Sequence, residues 1–204
     1  MAGVGYLRLV DRVGERVELS NLNRQILYKD TDVGRVKVKA AEEAVRGFNS
    51  GVVVEGVEET IDQDNIMHLI SGMDFVVDGL DSVRDRLLVN DACVKLGIPA
   101  NHAFVHGFRG ELVNVLPREG PCLRCILRDE DAGPSLTGVG VVIGVSAGVV
   151  GLAQACDAIK YLIGLGDFIV GRRILFDLTD WTIYQVDFTR DRNCPVCSAK
   201  ESMA

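Results

Sequence analysis

Two Cys-x-x-Cys pairs constrain this chain more than any other feature: Cys122-Leu-Arg-Cys125 and Cys194-Pro-Val-Cys197. Each pair can offer two thiolates to one metal ion, so together they complete a tetrahedral sulfur site of the kind that holds structural zinc (Zn²⁺). Because the pairs lie 69 residues apart, the ion would fasten the end of the chain to its middle. Two alternatives are possible. Two disulfides would require an oxidising compartment, and a thioredoxin-type redox pair would require a flanking strand and helix that neither pair shows.

Length and charge limit the class of protein. At 204 residues the chain can form one domain with a sizeable core. Its formal net charge of -7 argues against nucleic-acid binding, because phosphate contacts require a basic surface. The first residues, Met1 to Gly5, lack the basic and apolar pattern of a signal peptide, which predicts a cytoplasmic protein with reduced thiols.

The stretch 139–165 is apolar enough to raise the question of a membrane helix. Gln154, Asp157 and Lys160 interrupt it, and its glycines and alanines suit close packing within a protein. We therefore predict a buried or dimer-forming helix and no membrane contact.

Strand and helix patterns alternate through the first half of the chain. Apolar and β-branched runs predict strands at 6–11, 52–57 and 74–78, and helical periodicity predicts helices at 33–48, 62–70 and 82–96. Alternation of this kind gives parallel strands joined by crossover helices. We predict an α/β fold with a doubly wound, Rossmann-like, mostly parallel sheet, formed by residues 1–204 as a single domain.

The second half predicts a different arrangement, with a strand at 112–116, a long helix at 143–163 and a terminal hairpin of strands 173–178 and 182–188. This part of the fold is expected to be antiparallel and clamped by zinc. His102 and His106 are expected to follow a strand, where they can satisfy backbone groups. Cys93 and Cys156 are expected to be small core residues of apolar helices.

Two charged residues stand out as ligand candidates. Asp81 lies three residues beyond Asp78, just after a predicted strand, and ligands of open α/β sheets bind beyond the carboxyl ends of strands. If Ser82 caps the next helix, Asp81 can hold a metal ion; otherwise Asp81 is itself the cap. Lys37 shares a helix face with apolar residues near the helix N-terminus, where a bound anion would offset its unfavourable charge.

Four motifs occur in a fixed order along the chain. They are Ser20-Asn-Leu-x-Arg-Gln25, Val33-Gly-x-x-Lys37 with its lysine thirteen residues after Arg24, Asp81 after a strand, and the two cysteine pairs. This series resembles the ThiF/MoeB/HesA family, the bacterial and archaeal relatives of ubiquitin-activating enzymes. The resemblance extends from Gly3 to Cys197.

The resemblance implies ATP-dependent adenylation of the C-terminal glycine of a ubiquitin-like sulfur-carrier protein that ends in Gly-Gly. In that reaction the enzyme neutralises phosphate charge and holds the attacking carboxylate in line. The resemblance also implies a homodimer, since relatives pair through the long helix. It assigns phosphate binding to Arg24 and Lys37, pocket shape to Asn21, Mg²⁺ binding to Asp81, and ribose binding to Asp11 or Glu15.

The chain departs from the family's pattern in three places. The loop from Asp11 to Val17 is about two residues longer than the family's Asp-x-Asp-x-Val, which leaves the ribose-binding acid open. Family members begin with a strand, a Gly-x-Gly-Gly-x-Gly turn and a helix, and Met1 to Gly5 matches only the end of that helix. We therefore expect a truncated chain that binds ATP poorly. The loop 127–137 has no cysteine, which predicts a reaction that stops at the adenylate.

Two other functions are compatible with parts of this sequence. One is a non-catalytic subunit that binds a ubiquitin-like tail; the absent glycine turn favours it, and the presence of Arg24, Lys37 and Asp81 opposes it. The other is a nicotinamide-dependent dehydrogenase on the same fold, which the lack of a Gly-x-Gly-x-x-G turn makes the weakest of the three.

Overall fold

The computed structural model describes residues 4–128 and 142–198. The chain forms two compact units, Met1–Ile61 and Asp62–Ala204, which we call the first unit and the second unit. Both units combine helices with a β-sheet, which confirms the predicted α/β class.

The first unit is built on a two-stranded parallel sheet. Strand β1 (Tyr6–Asp11) pairs with β2 (Val53–Glu58), and helix α1 (Lys37–Phe48) connects them in sequence. From α1, Val45 enters an apolar cluster with Val52 and Val54. The predicted succession of strand, helix and strand is confirmed in this region.

Helix α1 begins four residues later than the sequence predicted. The backbone N–H of Val17 donates to Arg35 O at 2.9 Å, and the N–H of Lys37 donates to Glu15 O at 2.9 Å. These bonds pair the end of the loop with an earlier segment, so Val36 is extended rather than helical. Tertiary pairing has overridden local helical periodicity here, and it makes Lys37 the first residue of the helix.

The second unit contains a five-stranded sheet in the order β3-β4-β5-β6-β7. Its strands are Val76–Asp78, Ala100–His106, Arg109–Val115, Arg172–Asp177 and Thr182–Asp187. β3 and β4 are parallel, and the remaining pairs are antiparallel. The antiparallel part and its terminal hairpin, β6 and β7, are therefore confirmed.

Two histidines lie elsewhere than the sequence indicated. His102 and His106 were expected after a strand, and both are residues of β4 itself. The expectation was wrong because β4 pairs along its whole length with β5, from Ala100 opposite Val115 to His106 opposite Arg109. The side chain of His102 is fully buried, and that of His106 is exposed.

The described part of the second unit also contains three α-helices: α2 (Ile66–Ile70), α3 (Val83–Leu96) and α4 (Gly144–Ile163). Helix α4 packs on the sheet so closely that a Cβ atom on Gly110 of β5 would overlap Val150 Cγ2. No described helix is both long and apolar enough to cross a membrane. One face of α4 therefore packs on the sheet, while apolar side chains such as Leu152 and Ile163 are exposed, and pairing of two copies through α4 stays a prediction.

Candidate functional site

In the first unit, Lys37 and Glu15 form an ion pair. Lys37 Nζ lies 3.2 Å from Glu15 Oε2, and the lysine side chain is 15% exposed. A second cation, Arg12, approaches the same carboxylate at 3.8 Å. The backbone bond between Lys37 and Glu15 fixes the two residues together, so Lys37 sits at the start of α1 with its charge only partly screened by solvent.

Asn21 and Arg24 belong to the same loop. Asn21 is buried, and its Oδ1 accepts a hydrogen bond from the backbone N–H of Glu18 at 3.0 Å. Its carbonyl oxygen accepts from the N–H groups of Arg24 and Gln25. Asn21 therefore shapes the loop from inside, and Arg24, anchored to it, extends its guanidinium to Ser20 O at 3.1 Å.

Asp11 is the last residue of β1, where ligands of parallel sheets bind. Its Oδ1 accepts the backbone N–H of Arg12 at 2.8 Å. Burial, together with the negative charges of Asp11 and Asp32, raises the pKa of Tyr28 to about 12. Asp11 thus lies near a phenol that remains protonated.

In the second unit, Asp81 lies in the turn between β3 and α3. Ser82 caps α3, and its side chain accepts the backbone N–H of Asp85 at 3.3 Å. Of the two candidate caps that the sequence left open, Ser82 is therefore the cap, and Asp81 is exposed to solvent beside it. An exposed carboxylate directly before a helix N-terminus can bind a cation without breaking a structural contact of the cap.

Asp78, the last residue of β3, has a buried side chain whose partners lie within the protein. Its Oδ2 lies 3.0 Å from Arg86 Nη1 and 2.6 Å from His102 Nδ1, and its Oδ1 accepts the N–H of Leu80 at 2.7 Å. Burial raises the pKa of Asp78, but His102 and the positive charge of Arg86 outweigh burial, so the pKa lies below its usual value. Both carboxylate oxygens of Asp78 therefore already have partners within the protein.

Further buried polar side chains surround this ion pair. Gln154 Nε2 of α4 donates to Asp78 O at 2.8 Å and lies 3.1 Å from Asn101 Oδ1. Asn101 Nδ2 in turn donates to Gln154 O at 2.9 Å. The end of β3 is therefore tied through side chains to both β4 and α4.

The second unit also brings the four predicted cysteines together. The sulfur atoms of Cys122, Cys125, Cys194 and Cys197 all lie within 4.8 Å of one another. The Cys122 and Cys194 sulfurs are 3.6 Å apart, and those of Cys125 and Cys197 are 3.4 Å apart. Four sulfurs bound tetrahedrally at about 2.3 Å from zinc would be separated by about 3.8 Å, so the donor set and its spacing fit a zinc ion.

All four thiols are free in the structure and are not joined in the two disulfides that were one alternative. Burial raises the pKa of Cys122, and it raises that of Cys197 to about 12. For Cys194, burial acts in the same direction, but hydrogen bonds from the backbone of Cys197 and Val196 lower its pKa overall. Backbone N–H groups pointed at sulfur are a feature of metal-binding Cys-x-x-Cys turns and stabilise thiolates.

Helix α3 reaches this cysteine cluster through two polar residues. Asn90, fully buried, accepts the N–H of Leu123 at 2.9 Å, inside the first Cys-x-x-Cys turn. Both carboxylate oxygens of Asp91 lie 2.8 Å from Arg124 Nε and share its single N–H. The helix that begins at the Asp81 turn thus holds the first cysteine pair in place.

The two remaining cysteines differ from each other. Cys93 is buried as predicted, and burial raises its pKa to about 12. Cys156 was also predicted to be a core residue, and that was wrong, because its position on α4 faces solvent. Residues 129–137 of the loop without cysteine lie outside the described residues.

Sequence reasoning missed the partnership of Arg86 with Asp78 and His102. A signal for it was present: Arg86 shares the buried face of α3 with Val83, Leu87 and Asn90. A cation on an apolar helix face requires a buried anion. Asp78, at the end of the buried strand that precedes α3, was a candidate for that anion.

Comparison with known proteins adds to this geometry. A family model described as "ThiF family" matches residues 1–196. The chain is 39% identical over 198 residues to the SAMP-activating enzyme E1 of Haloferax volcanii, covering 96% of this chain and 72% of that protein. It is 35% identical over 204 residues to the sulfur carrier protein adenylyltransferase of Thermus thermophilus, covering 96% and 74%.

Among solved structures, the chain resembles E. coli MccB in a crystal structure with ATP. The TM-score is 0.82 at 22% identity, over 95% of this chain and 59% of that one. At this identity the likeness concerns the fold alone, and it agrees with the predicted Rossmann-type architecture.

Proposed function

Because the chain belongs to the ThiF family, we propose that it takes part in ATP-dependent adenylation of the C-terminal carboxylate of a small ubiquitin-like sulfur-carrier protein. The observation that carries the proposal is the 39% identity to an activating enzyme across 96% of this chain. The name of the second relative, a sulfur carrier protein adenylyltransferase, supports the choice of partner.

In this reaction a carboxylate oxygen of the carrier's terminal glycine attacks the α-phosphorus of ATP. The bond to the β-phosphate breaks, pyrophosphate leaves and an acyl-adenylate forms. Positive groups fixed near the phosphates stabilise the charge that develops on them. We assign this role to Arg24 and Lys37, because backbone hydrogen bonds fix both residues: the N–H of Arg24 donates to Asn21 O, and that of Lys37 donates to Glu15 O.

We assign the ribose contact to Asp11 rather than Glu15. The Glu15 carboxylate pairs with Lys37 and Arg12, whereas Asp11 stands at the carboxyl end of β1. An acid at the end of such a strand is the usual ribose ligand of nucleotide-binding α/β folds. Asn21 supports the pocket by fixing the loop that follows.

Asp81 would hold Mg²⁺, which when bound neutralises phosphate charge during the transfer. The exposed Asp81 suits this role, and Asp78 does not, since its oxygens already accept bonds from Leu80, Arg86 and His102. Zn²⁺ would be held by the four cysteines and would serve the fold rather than the reaction, because four protein ligands leave no open position.

We also propose that two copies of the chain pair through α4. Several of its apolar side chains are exposed, including Val145, Leu152 and Ile163 at 60%, 73% and 58%. A surface of this kind on a helix is typical of an oligomer interface. Light scattering at micromolar concentration tests the proposal, and a mass of about 22 kDa, that of one chain, would contradict it. The free thiols support a cytoplasmic location.

The test of function is ATP–pyrophosphate exchange by the protein in its natural full length. We expect exchange only with a carrier that ends in Gly-Gly, and none with the same carrier lacking those two residues. Exchange that does not depend on the carrier would contradict the choice of substrate. Tight carrier binding without any exchange would instead support the non-catalytic binding subunit.

A further inference from the structure

The turn that carries Asp81 is held by a buried ion pair. Asp78 Oδ1 accepts the backbone N–H of Leu80 at 2.7 Å, and Arg86 Nη2 donates to the carbonyl oxygen of the same residue. Both polar backbone groups of Leu80 are thus bound by the two members of one ion pair. This double contact fixes the orientation of the peptide units on either side of Leu80.

The ion pair is itself tightly constrained. The side chain of Asp78 is 0% exposed and that of Arg86 is 6% exposed. The guanidinium stacks on Phe104 of β4, 4.1 Å from the ring centroid, and His102 of the same strand lies 2.6 Å from Asp78. Arginine is needed for this arrangement, because its planar fork can contact a carboxylate, a carbonyl oxygen and a ring face at once.

Asp81 lies between two fixed points. Leu80 on one side is bound by Asp78 and Arg86, and Ser82 on the other side caps α3. Neither contact uses the Asp81 carboxylate, which remains exposed. The backbone of Asp81 is therefore held while its side chain faces solvent, which is the arrangement expected of a preorganised ligand.

We propose that Arg86 is a positioning residue for Asp81: through Leu80 it fixes the direction in which the Asp81 carboxylate meets its metal ion. The part that concerns the metal rests on the proposed function. A structural ion pair alone would lower stability when broken, but it would leave the affinity of the folded protein for Mg²⁺ unchanged. Residues that orient a ligand typically change metal affinity about 10-fold to 100-fold when substituted.

The variant of choice is Arg86→Lys, which keeps the positive charge against Asp78 but lacks the planar fork. Arg86→Gln, which also removes the charge, is the more severe version. The matched control is Arg173→Gln, which breaks the bidentate contact of Arg173 with Glu111, at 2.6 and 2.8 Å, in the sheet of the same unit.

The first measurement is hydrogen exchange of the Leu80 amide in the chain itself. We expect exchange to be about tenfold faster or more in Arg86→Lys, and unchanged in Arg173→Gln, because only the former loosens the turn. Wild-type protection of the Leu80 amide in folded Arg86→Lys would overturn the proposal. This readout does not depend on any enzymatic activity.

The second measurement is the Mg²⁺ dependence of pyrophosphate exchange in the full-length protein. We expect the half-saturating Mg²⁺ concentration to rise about tenfold in Arg86→Lys, with the KM for the carrier changed less than about twofold. A half-saturating concentration equal to that of wild type would overturn the proposal. If the wild-type protein exchanged no pyrophosphate at all, the proposed function would fail, and the Leu80 amide would still decide whether Arg86 holds the turn.

Discussion

The two units place their charges differently. In the described part of the first unit only Asn21 is a buried polar side chain, and ion pairs such as Arg12 with Glu15 lie at the surface. The second unit buries Asp78, Arg86 and His102 in one hydrogen-bonded cluster. Surface charges are available to a ligand and contribute little to stability, whereas buried charges fix geometry and are costly to disturb.

From this difference in burial we expect the two units to contribute differently to the proposed reaction. The first unit offers Arg24 and Lys37, which we propose to meet the phosphates of ATP. The second unit offers the exposed carboxylate of Asp81, on a turn fixed from within by Asp78 and Arg86. Substitutions in the first unit should therefore affect activity more than stability, and most substitutions in the buried cluster of the second should do the reverse.

The largest effect is expected at the cysteine cluster. Cys194→Ser should reduce bound zinc from about one ion per chain to nearly none. We expect the free energy of unfolding of the second unit to fall by roughly 5 kcal/mol or more. For comparison, the free energy of zinc binding to small zinc fingers is about 10 to 16 kcal/mol, and we expect the loss here to be smaller than that. Metal analysis and denaturant unfolding measure the two quantities.

The matched control for this prediction is Cys156→Ser, which changes an exposed thiol outside the cluster. It should leave zinc content and unfolding unchanged. Full zinc content in Cys194→Ser, or none in the wild-type protein, would contradict the assignment of the four cysteines to zinc.

The next largest effect should follow the loss of the buried cation. Arg86→Met preserves much of the volume but leaves the Asp78 carboxylate buried beside His102 without its charged partner. We expect a destabilisation of about 3 to 5 kcal/mol by denaturant unfolding. Arg12→Met, at the exposed pair in the first unit, should cost less than about 1 kcal/mol. Equal losses of unfolding free energy in the two variants would contradict the distinction between buried and surface ion pairs.

Effects on activity should be larger for substitutions in the first unit than for most substitutions in the buried cluster of the second. Lys37→Ala should slow pyrophosphate exchange by roughly 10²-fold or more, since it removes charge stabilisation of the phosphates. Arg12→Ala is its matched control, because both cations contact Glu15 but only Lys37 is assigned to the phosphates. Exchange slowed equally by the two substitutions would mean that Glu15, not Lys37, is the residue that matters.

The smallest effect concerns pH. Because the pKa of Asp78 is lower in the folded protein than its ordinary value of about 3.9, its ionised form adds stability above that value. This contribution is lost as pH falls through the folded pKa. The difference in unfolding free energy between wild type and Asp78→Asn should therefore narrow as the solution is acidified from pH about 5. A difference independent of pH would mean that the charge of Asp78 contributes nothing.

Local signals in the sequence were sufficient for part of this account. The cysteine spacing predicted the cluster, and the residues before α3 narrowed its cap to Ser82 or Asp81. The cap depends on residues that are close in sequence, and the cluster depends on the preference of zinc for four cysteine ligands. The α/β alternation of the first half was read from periodicity for the same reason.

Long-range pairing limited the rest. The late start of α1 depends on bonds to Val17 and Glu15. The exposure of Cys156 could not be read from α4, which carries apolar residues on its exposed as well as its buried sides. The contact of Asp78 with His102 exists only because β3 and β4 pair with these two residues in register. None of these features can be predicted from residues that are close in sequence.

The most direct test of the central claim is pyrophosphate exchange by the full-length Asp81→Ala variant. The account predicts exchange at background level, with an unfolding free energy within about 0.5 kcal/mol of wild type, because the side chain is exposed. Asp85→Asn, which removes a neighbouring carboxylate of the first turn of α3, should retain most of the activity. Exchange at the wild-type rate in Asp81→Ala would contradict the account, since Asp78 is already bound to Arg86 and His102 and offers no replacement in this turn.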